Sequence, residues 1–329
     1  MKIIKSAYFD AFRCIADKCP DSCCQQWDVL VDDASAEYYL SLSGALGDRL
    51  RQVLNKEDGH YYMTIEDGRC PMWRQDGLCR IQAELGEEAL CHTCSQFPRL
   101  KHDYGDFIEY GLELSCPVAA DMILNAPAAP LLESELPGGE AGDYPQEDMA
   151  LLLRSRDTAL SMLENPENIG QTLAVLLLYS CHVQGMLDGI DTDFSPEKSL
   201  LTARQFARPG DLSEFIQFFR QLEILTPRWL QLLDDPKPTG WSSQLLAFVR
   251  YGIERYWLQA ISDGDLVCRV KMILISCLLL KHLGGNTVTT AQAFSKEIEN
   301  SIENLESIYD AAYTHPAFTD DKLLYLLMT

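Results

Sequence analysis

The sequence predicts a mainly α-helical protein that begins with a cysteine-rich, metal-binding lobe containing a few short strands. Nine of its twelve cysteines lie between residues 14 and 116, and from residue 149 onward one amphipathic helical pattern follows another. With 329 residues, of which 47% are hydrophobic, the chain is long enough for about two domains with apolar cores.

A compositional change divides the chain into two regions. The segment 125–148 is rich in Pro, Gly, Ala and acidic residues, and it shows neither the strand period nor the helix period. We therefore predict a metal-binding lobe over residues 1–124, a linker or loop over 125–148, and a helical domain over 149–329.

Short strands are predicted at three places in the N-terminal region. The alternating patterns "WDVLVDD" at 27–33, "YYMTIEDG" at 61–68 and "FIEYGLELS" at 107–115 favour strands, and the last two lie next to cysteines. These strands are too few and too short for a sheet-based fold.

The C-terminal region carries recognisable helix starts. Ser195 precedes Pro196 as an N-cap, and Asp211 with Glu214 forms a capping-box pattern before an apolar stripe. The segment "KEIENSIENLESIYDAAY" at 296–313 predicts one continuous helix. Its apolar residues recur every three or four positions and are expected to be buried; they are Ile298, Ile302, Leu305, Tyr309 and Ala312.

The charge of the chain argues against nucleic acid as a partner. Asp and Glu number 49 against 27 Lys and Arg, a formal net charge of −22, and no basic run is present that would follow a phosphate backbone. A negative field of this size attracts lysine-rich protein surfaces.

Neither a membrane span nor an export signal is predicted. The most apolar runs, at 173–181 and 272–280, are about half of the roughly 20 residues that a membrane span needs. Charged residues interrupt the first fourteen positions before an apolar signal region forms. We expect a cytoplasmic protein, in which reducing conditions disfavour disulfides.

The clustered cysteines indicate a metal site with sulfur ligands. The stretch "CIADKCPDSCCQQW" at 14–27 holds four thiols, and later cysteines stand beside Gly or Pro in "GRCPMW" and "ELSCPV". Soft thiolates select zinc or iron–sulfur clusters, and four of them saturate either one. Because adjacent side chains of an extended segment point to opposite faces, Cys23 and Cys24 are not expected to serve the same centre.

Other chemistries fit the sequence less well. A cysteine nucleophile needs a nearby base, and no Cys–His arrangement stands out. The radical-enzyme pattern Cys-x3-Cys-x2-Cys fails after Cys23, because Gln26 occupies its third position. The glycine-rich segment at 137–143 follows no apolar strand, so a Rossmann-type methyltransferase is not predicted.

These motifs carry a family resemblance over residues 8–121. The segments "YFDAFRCIADKCPDSCCQQWDVLVD", "CPMWRQDGLCRIQAELGEEALCHTCSQFPR" and "LELSCPVAAD" resemble the flagellin lysine N-methylase family and, more broadly, cysteine-rich zinc- or iron-chelating domains. Cys91 departs from the pattern, which has Pro there. The thiols that match are Cys14, Cys19, Cys23, Cys24, Cys70, Cys79, Cys94 and Cys116.

The resemblance implies methyl transfer from S-adenosylmethionine to lysines of flagellin or another lysine-bearing protein. It also implies a [4Fe–4S] cluster held by about four of the matching thiols, with zinc as the alternative metal. Trp27 and Trp73, close to these thiols, are candidates for holding the sulfonium, and Arg99 for holding the carboxylate of the cofactor. No residue is assigned as the catalytic base. The alternatives are a zinc-stabilised interaction module and an iron–sulfur redox protein without methyl transfer.

Overall fold

The computed structural model describes residues 1–25, 29–190 and 193–329. The chain is about 58% helical with a few short strands, which confirms the predicted mainly α class, and no Rossmann fold is identified in the described ranges. No helix among these residues combines the length and the apolar character that crossing a membrane requires.

The strands form two small sheets. Their bounds are β1 Lys2–Lys5, β2 Val29–Val31, β3 Leu54–Glu57, β4 His60–Met63, β5 Arg99–Asp103, β6 Phe107–Leu112 and β7 Leu132–Glu135. The larger sheet has the order β5-β6-β1-β7, with β1 parallel to β6 and antiparallel to β7; the smaller has the order β2-β4-β3. The three strands predicted from sequence are confirmed as β2, β4 and β6.

The helices fall into a short N-terminal set and a long C-terminal set. The first set is α1 Asp33–Ser41, α2 Gly44–Val53, α3 Arg80–Leu85, α4 His92–Gln96 and α5 Pro117–Asn125. The second set is α6 Gln146–Met162, α7 Ile169–Leu187, α8 Pro196–Phe206, α9 Leu212–Gln221, α10 Pro227–Asp234, α11 Ser243–Tyr256, α12 Leu266–Leu283, α13 Thr287–Phe294, α14 Ile302–Thr314 and α15 Asp320–Met328.

Two hydrophobic clusters organise the molecule. The smaller runs from Val29 to Cys91 with Cys24 packed against it, and we call the segments 23–25 and 29–94 the cysteine lobe. The larger joins the four-stranded sheet to α5 and the C-terminal helices, and we call this region the helical body. Cys116 lies in the cluster of the helical body. The predicted domain boundary at residues 125–148 stays a prediction. The two clusters divide the buried side chains at other positions.

The segment 125–148, predicted as a linker or loop, contains β7. This strand pairs with β1 in antiparallel register, from Lys2 opposite Glu135 to Lys5 opposite Leu132. All four residues of β7 are exposed and three of them are polar, so no apolar alternation marks the strand in the sequence. Backbone pairing at the sheet edge, rather than burial of side chains, defines it.

Helix starts in the C-terminal region follow the predicted caps. Ser195 accepts a hydrogen bond from the Lys198 N–H at 3.4 Å, and Asp211 accepts one from the Ser213 N–H at 2.8 Å. Asp265 caps α12 in the same way through the Cys268 N–H at 2.9 Å. α12 is buried along nearly its whole length, as expected of its apolar run.

The single helix predicted over 296–313 is wrong. Residues Ser295–Glu299 form a π-helical turn that continues α13, and Ser301 caps the new helix α14 by accepting from the Asn304 N–H at 3.1 Å. The interruption changes the helical phase. Ile302 is consequently 72% exposed, although its position in the apolar stripe predicted burial.

Candidate metal centre

Six cysteine side chains line one small, closed cavity in the cysteine lobe. Apolar and aromatic residues, among them Tyr39, Met72 and Phe97, complete its wall. We call this space the thiol cavity. Its cysteines are Cys23, Cys24, Cys70, Cys79, Cys91 and Cys94.

Turns and helix starts bring these thiols together. The Cys70 N–H donates to the Cys24 carbonyl at 2.8 Å, which joins two distant cysteine segments. Cys79 and Cys91 occupy the N-cap positions of α3 and α4, and Cys94 lies within α4. Helix N-termini carry partial positive charge, which favours a thiolate over a neutral thiol.

The thiols of the cavity interact in two hydrogen-bonded pairs. The hydrogen bond between Cys23 and Cys24 lowers the pKa of Cys24 to about 7 and raises the pKa of Cys23. The hydrogen bond between Cys91 and Cys94 lowers the pKa of Cys91 to about 7 and raises that of Cys94. In each pair one sulfur is thus favoured as the thiolate, and the other keeps its proton and donates the hydrogen bond.

The geometric reason for assigning Cys23 and Cys24 to different centres does not hold, because both side chains line the thiol cavity. The backbone bends at these two residues instead of running extended, and the Cys24 N–H donates to the Ser22 hydroxyl at 3.2 Å. Strand geometry, which alternates side chains between faces, therefore does not apply here.

Three of the eight matching thiols lie outside the thiol cavity. Burial raises the pKa of Cys116 to about 11, and the nearby charges of Cys19 and Cys14 contribute. Burial likewise raises the pKa of Cys19, with a contribution from Cys14. These three cysteines form a second group near the start of α5, on the side of the helical body.

Cys91, which the resemblance leaves out, belongs to the cavity wall. Its spacing from Cys94, Cys-x-x-Cys at the start of a short helix, is a signal that sequence reasoning could have used. The family pattern, which has Pro at this position, argued against Cys91 as a ligand.

The donor chemistry of the cavity fits a soft metal centre. Its described lining offers six thiols and neither a carboxylate nor an imidazole, and thiolate sulfur suits zinc or an iron–sulfur cluster. Within the described ranges, no group of three or more Cys, His, Asp or Glu side chains is set closely enough to hold a metal ion. The donors thus fit in kind and number, and their positions are those of hydrogen-bonded thiols.

The three predicted cofactor-binding residues differ in their surroundings. Trp27 lies outside the described residues. The Arg69 guanidinium stands 4.4 Å from the centre of the Trp73 ring and covers that face. Arg99 stacks on Phe12 at 5.2 Å and also lines a cleft of about 390 Å³.

Phe97 separates the thiol cavity from this cleft, since it lines both spaces. The other described walls of the Arg99 cleft include Glu113 and Asn300. A third space, of about 230 Å³, also borders Phe97 and reaches Cys23 and Lys296. Cys23 therefore borders one of these spaces directly, and Phe97 lies between the thiol cavity and the Arg99 cleft.

Asp21 anchors the first cysteine segment to the helical body. It accepts a hydrogen bond from Gln292 Nε2 at 2.5 Å and forms an ion pair with Lys296 Nζ at 2.8 Å. Gln292 also donates to the Ser115 carbonyl at 3.0 Å. This contact fixes the position of the thiol cavity relative to α13.

Named proteins resemble part of the chain. The flagellar biosynthetic protein FliU of Salmonella muenchen is 34% identical over 134 residues, which are 39% of this chain and 79% of that protein. The lysine-N-methylases of Salmonella typhimurium and Salmonella choleraesuis are each 33% identical over 140 residues, 40% of this chain. No protein-family model and no solved structure matches the chain.

The match covers only 35% of the length of the two lysine-N-methylases, whereas it covers most of FliU. The resemblance seen in the cysteine motifs is confirmed by these relatives. The chain belongs to the flagellin lysine N-methylase family.

Proposed function

We propose that this protein transfers methyl groups from S-adenosylmethionine to lysine side chains of flagellin, and that its thiol cavity holds a [4Fe–4S] cluster. Two of the relatives bear the name lysine-N-methylase, and a third is a flagellar biosynthetic protein. The observation that carries the metal part is the convergence of six thiols on one closed cavity.

Four of the six thiols are enough for the cluster. Cys70 feels the charges of Cys24, Cys79 and Cys91, and Cys79 feels those of Cys24 and Cys91. Cys24, Cys70, Cys79 and Cys91 are our proposed ligand set, because all four line the thiol cavity and Cys70 and Cys79 each interact electrostatically with the other two; Cys94 is the alternative ligand. Bound there, the cluster would supply a cross-link among the segments around residues 24, 70, 79 and 91.

The substrate class agrees with the charge of the chain. A lysine-bearing protein surface is drawn to a partner of net charge −22, and the attraction is strongest at low salt. Lysine, with a reference pKa of about 10.4, must lose a proton before its nitrogen can attack a methyl sulfonium. The protein must therefore offer a base in addition to a methyl-donor site.

The test of methyl transfer uses anaerobically purified protein, flagellin and S-adenosylmethionine labelled in its methyl group. Label on flagellin lysines, found by peptide mass spectrometry, is the expected result. Intact protein that leaves flagellin unlabelled contradicts the proposal. The zinc module and the redox protein both predict that negative result.

Metal analysis tests the cluster separately. We expect brown protein with about four irons per chain, and colourless protein with stoichiometric zinc contradicts the cluster. Cys79→Ser and Cys91→Ser should lose the iron. The matched control is Cys181→Ser, because this cysteine lies on α7 in the helical body and should leave the iron content unchanged.

A further inference from the structure

A further cavity, of about 380 Å³, lies beside α11 in the helical body. Its volume falls within the range of small-molecule sites, roughly 300–1,000 Å³. We call it the Glu254 cavity. Residues 126–129 form one side of it, and its apolar wall includes Ile123, Leu163, Ile169, Leu246 and Ala247.

Its polar end is formed by Tyr8, Arg250, Tyr251 and Glu254. The Glu254 side chain is 12% exposed, and its Oε1 stands 3.8 Å from Arg250 Nη1, which is too far for a strong hydrogen bond. The Tyr8 hydroxyl shares a hydrogen bond with the Glu254 carboxylate. Arg250 Nη2 is buried and has no hydrogen-bond partner among the described residues.

Burial raises the pKa of Glu254 to about 7, against the lowering effect of Arg250 and Arg156. Glu109 adds repulsion from β6, although it is paired with Arg156 at 2.7 Å. A carboxyl group that titrates near neutrality and faces a cavity can accept and release a proton under ordinary conditions.

A neighbouring buried carboxylate shows the contrast. Glu299 accepts from the Tyr251 hydroxyl at 3.0 Å and from the Tyr256 hydroxyl at 2.7 Å, and it pairs with Arg255 at 3.3 Å. Its hydrogen-bonding capacity is used inside the protein. Glu254, with one phenol and a distant guanidinium, retains capacity for a ligand.

The shape and chemistry of the cavity suit a lysine side chain. The apolar wall can pack against four methylene groups, and the Glu254 carboxylate can meet the ammonium group at the end. The apolar surroundings and the positive Arg250 disfavour the ammonium form, which lowers the pKa of a bound lysine.

We propose that the Glu254 cavity receives the substrate lysine and that Glu254 is the general base of methyl transfer. This inference rests on the proposed function, and it names the residue that accepts the proton. Tyr8 is a positioning residue that holds the carboxylate.

The proton and electron balance is complete. The ε-ammonium group passes one proton to the Glu254 carboxylate, and the resulting amine attacks the methyl carbon of S-adenosylmethionine. A C–N bond forms while the C–S bond breaks, and its electron pair stays on sulfur. The methylammonium product keeps its charge, and the Glu254 carboxyl group then releases the accepted proton to solvent.

The first test compares Glu254→Gln with Glu147→Gln, an equal loss of charge on the exposed first turn of α6. We expect Glu254→Gln to slow flagellin methylation at least about 100-fold, Glu254→Asp to keep part of the rate, and Glu147→Gln to keep all of it. Wild-type speed with Glu254→Gln overturns the inference and leaves the proposed function standing.

The pH profile identifies the titrating group. The wild-type rate should rise with pH through about 7, because the carboxylate is the active form, and the Gln variant should lose this limb. The titratable and charged groups around Glu254 are Tyr8, His102, Glu109, Arg156, Arg250, Tyr251 and Arg255. Burial also raises the pKa of Glu109, so Glu109→Gln should shift the limb but not remove it.

The second test does not depend on methylation. Binding of Nα-acetyl-lysine methylamide to the full chain is measured by calorimetry. Glu254→Gln should weaken binding at least about tenfold, and Glu147→Gln should not change it. If the wild type binds this probe through Glu254 but leaves flagellin unlabelled, the lysine site stands and the proposed function fails. If binding is equal in all variants, the lysine site is wrong.

A misfolded Glu254→Gln variant would be recognised by circular dichroism. Tyr8→Phe then provides the decisive comparison, because it removes only the hydroxyl that holds the carboxylate. A lower turnover number with an unchanged KM for flagellin supports the positioning role. An unchanged turnover number and pH profile would count against it.

Discussion

The cysteine lobe and the helical body are stabilised in different ways. In the helical body, α12 is buried along nearly its whole length and packs among the other helices. The cysteine lobe has a much smaller apolar cluster, and its interior contains thiols that face one another. A region of this size is marginal when apolar burial alone stabilises it, and a metal cross-link is the usual supplement.

The two cavities show the same contrast in their chemistry. The thiol cavity offers soft, polarisable donors on turns, while the Glu254 cavity offers one carboxyl group on a rigid helix. A metal needs several converging ligands, whereas a proton needs a single group with a matched pKa. The two proposals thus assign the metal and the proton transfer to separate sites.

Removal of the metal should have the largest effect, and it tests whether the cysteine lobe and the helical body are stabilised in different ways. After chelation, we expect amides of α1 and α2 in the cysteine lobe to lose their protection from hydrogen exchange completely, because the cross-link is gone. Amides of α7 and α12 should stay protected. Mass spectrometry of exchanged peptides measures both, and equal protection of the lobe with and without chelator would contradict the metal cross-link.

Truncation of a core leucine should have the next largest effect, and it should destabilise each region individually. Leu274 in α12 and Leu50 in α2 are both fully buried, and truncation of either to Ala removes apolar contacts at a cost of about 2–5 kcal/mol. Urea unfolding should show the loss for Leu274→Ala in the helical body and for Leu50→Ala in the cysteine lobe. The control Leu201→Ala, at a side chain that is 58% exposed, should change little.

Asp32 provides a smaller effect within the cysteine lobe. It caps α1 through the Ser35 N–H at 3.0 Å and also accepts from the His92 N–H of α4 at 2.8 Å. Asp32→Ala should reduce the free energy of unfolding of the lobe by about 1–2 kcal/mol. The neighbour Asp33, without these bonds in the structure as described, is the control.

The pH dependence of this effect has a definite sign. The hydrogen bond from His92 lowers the pKa of Asp32, so its stabilisation is present above the unfolded pKa of about 3.9. The difference between wild type and Asp32→Ala should therefore shrink as pH falls below about 4. A difference that grew in acid would contradict the role of the carboxylate.

The smallest expected effect lies where the two regions meet. Lys296 and Asp21 are half-buried and 2.8 Å apart. A double-mutant cycle with Lys296→Met and Asp21→Asn should give a coupling free energy of about 0.5–1 kcal/mol in urea unfolding. Zero coupling would show that Gln292, the other partner of Asp21, makes the connection alone.

The sequence was informative where rare residues cluster. Cysteine is uncommon, so its accumulation before residue 117 was visible without a structure, and the helix caps at Ser195 and Asp211 follow local rules. The bend at Cys23 and Cys24 and the π-helical turn before Asn300 depend on tertiary packing, which no local pattern carries.

The Glu254 cavity could not be predicted for a related reason. Tyr8 and Glu254 belong to common residue types and come from opposite parts of the chain. Only the packing of α11 against the region of the first strand brings them together, and only burial shifts the carboxyl group toward neutrality. A residue that is ordinary in the sequence became notable through its surroundings.

The segment 126–131, whose residues 126–129 form one side of the Glu254 cavity, is fixed at both of its ends. α5 ends at Asn125, and β7 begins at Leu132 and is held by β1. The number of residues between these anchors therefore sets how far the wall stands from α11, and so the width of the Glu254 cavity. An insertion or deletion there would change the cavity wall while leaving Glu254 in place, so that, for the proposed lysine site, loop length is a route by which substrate choice can diverge.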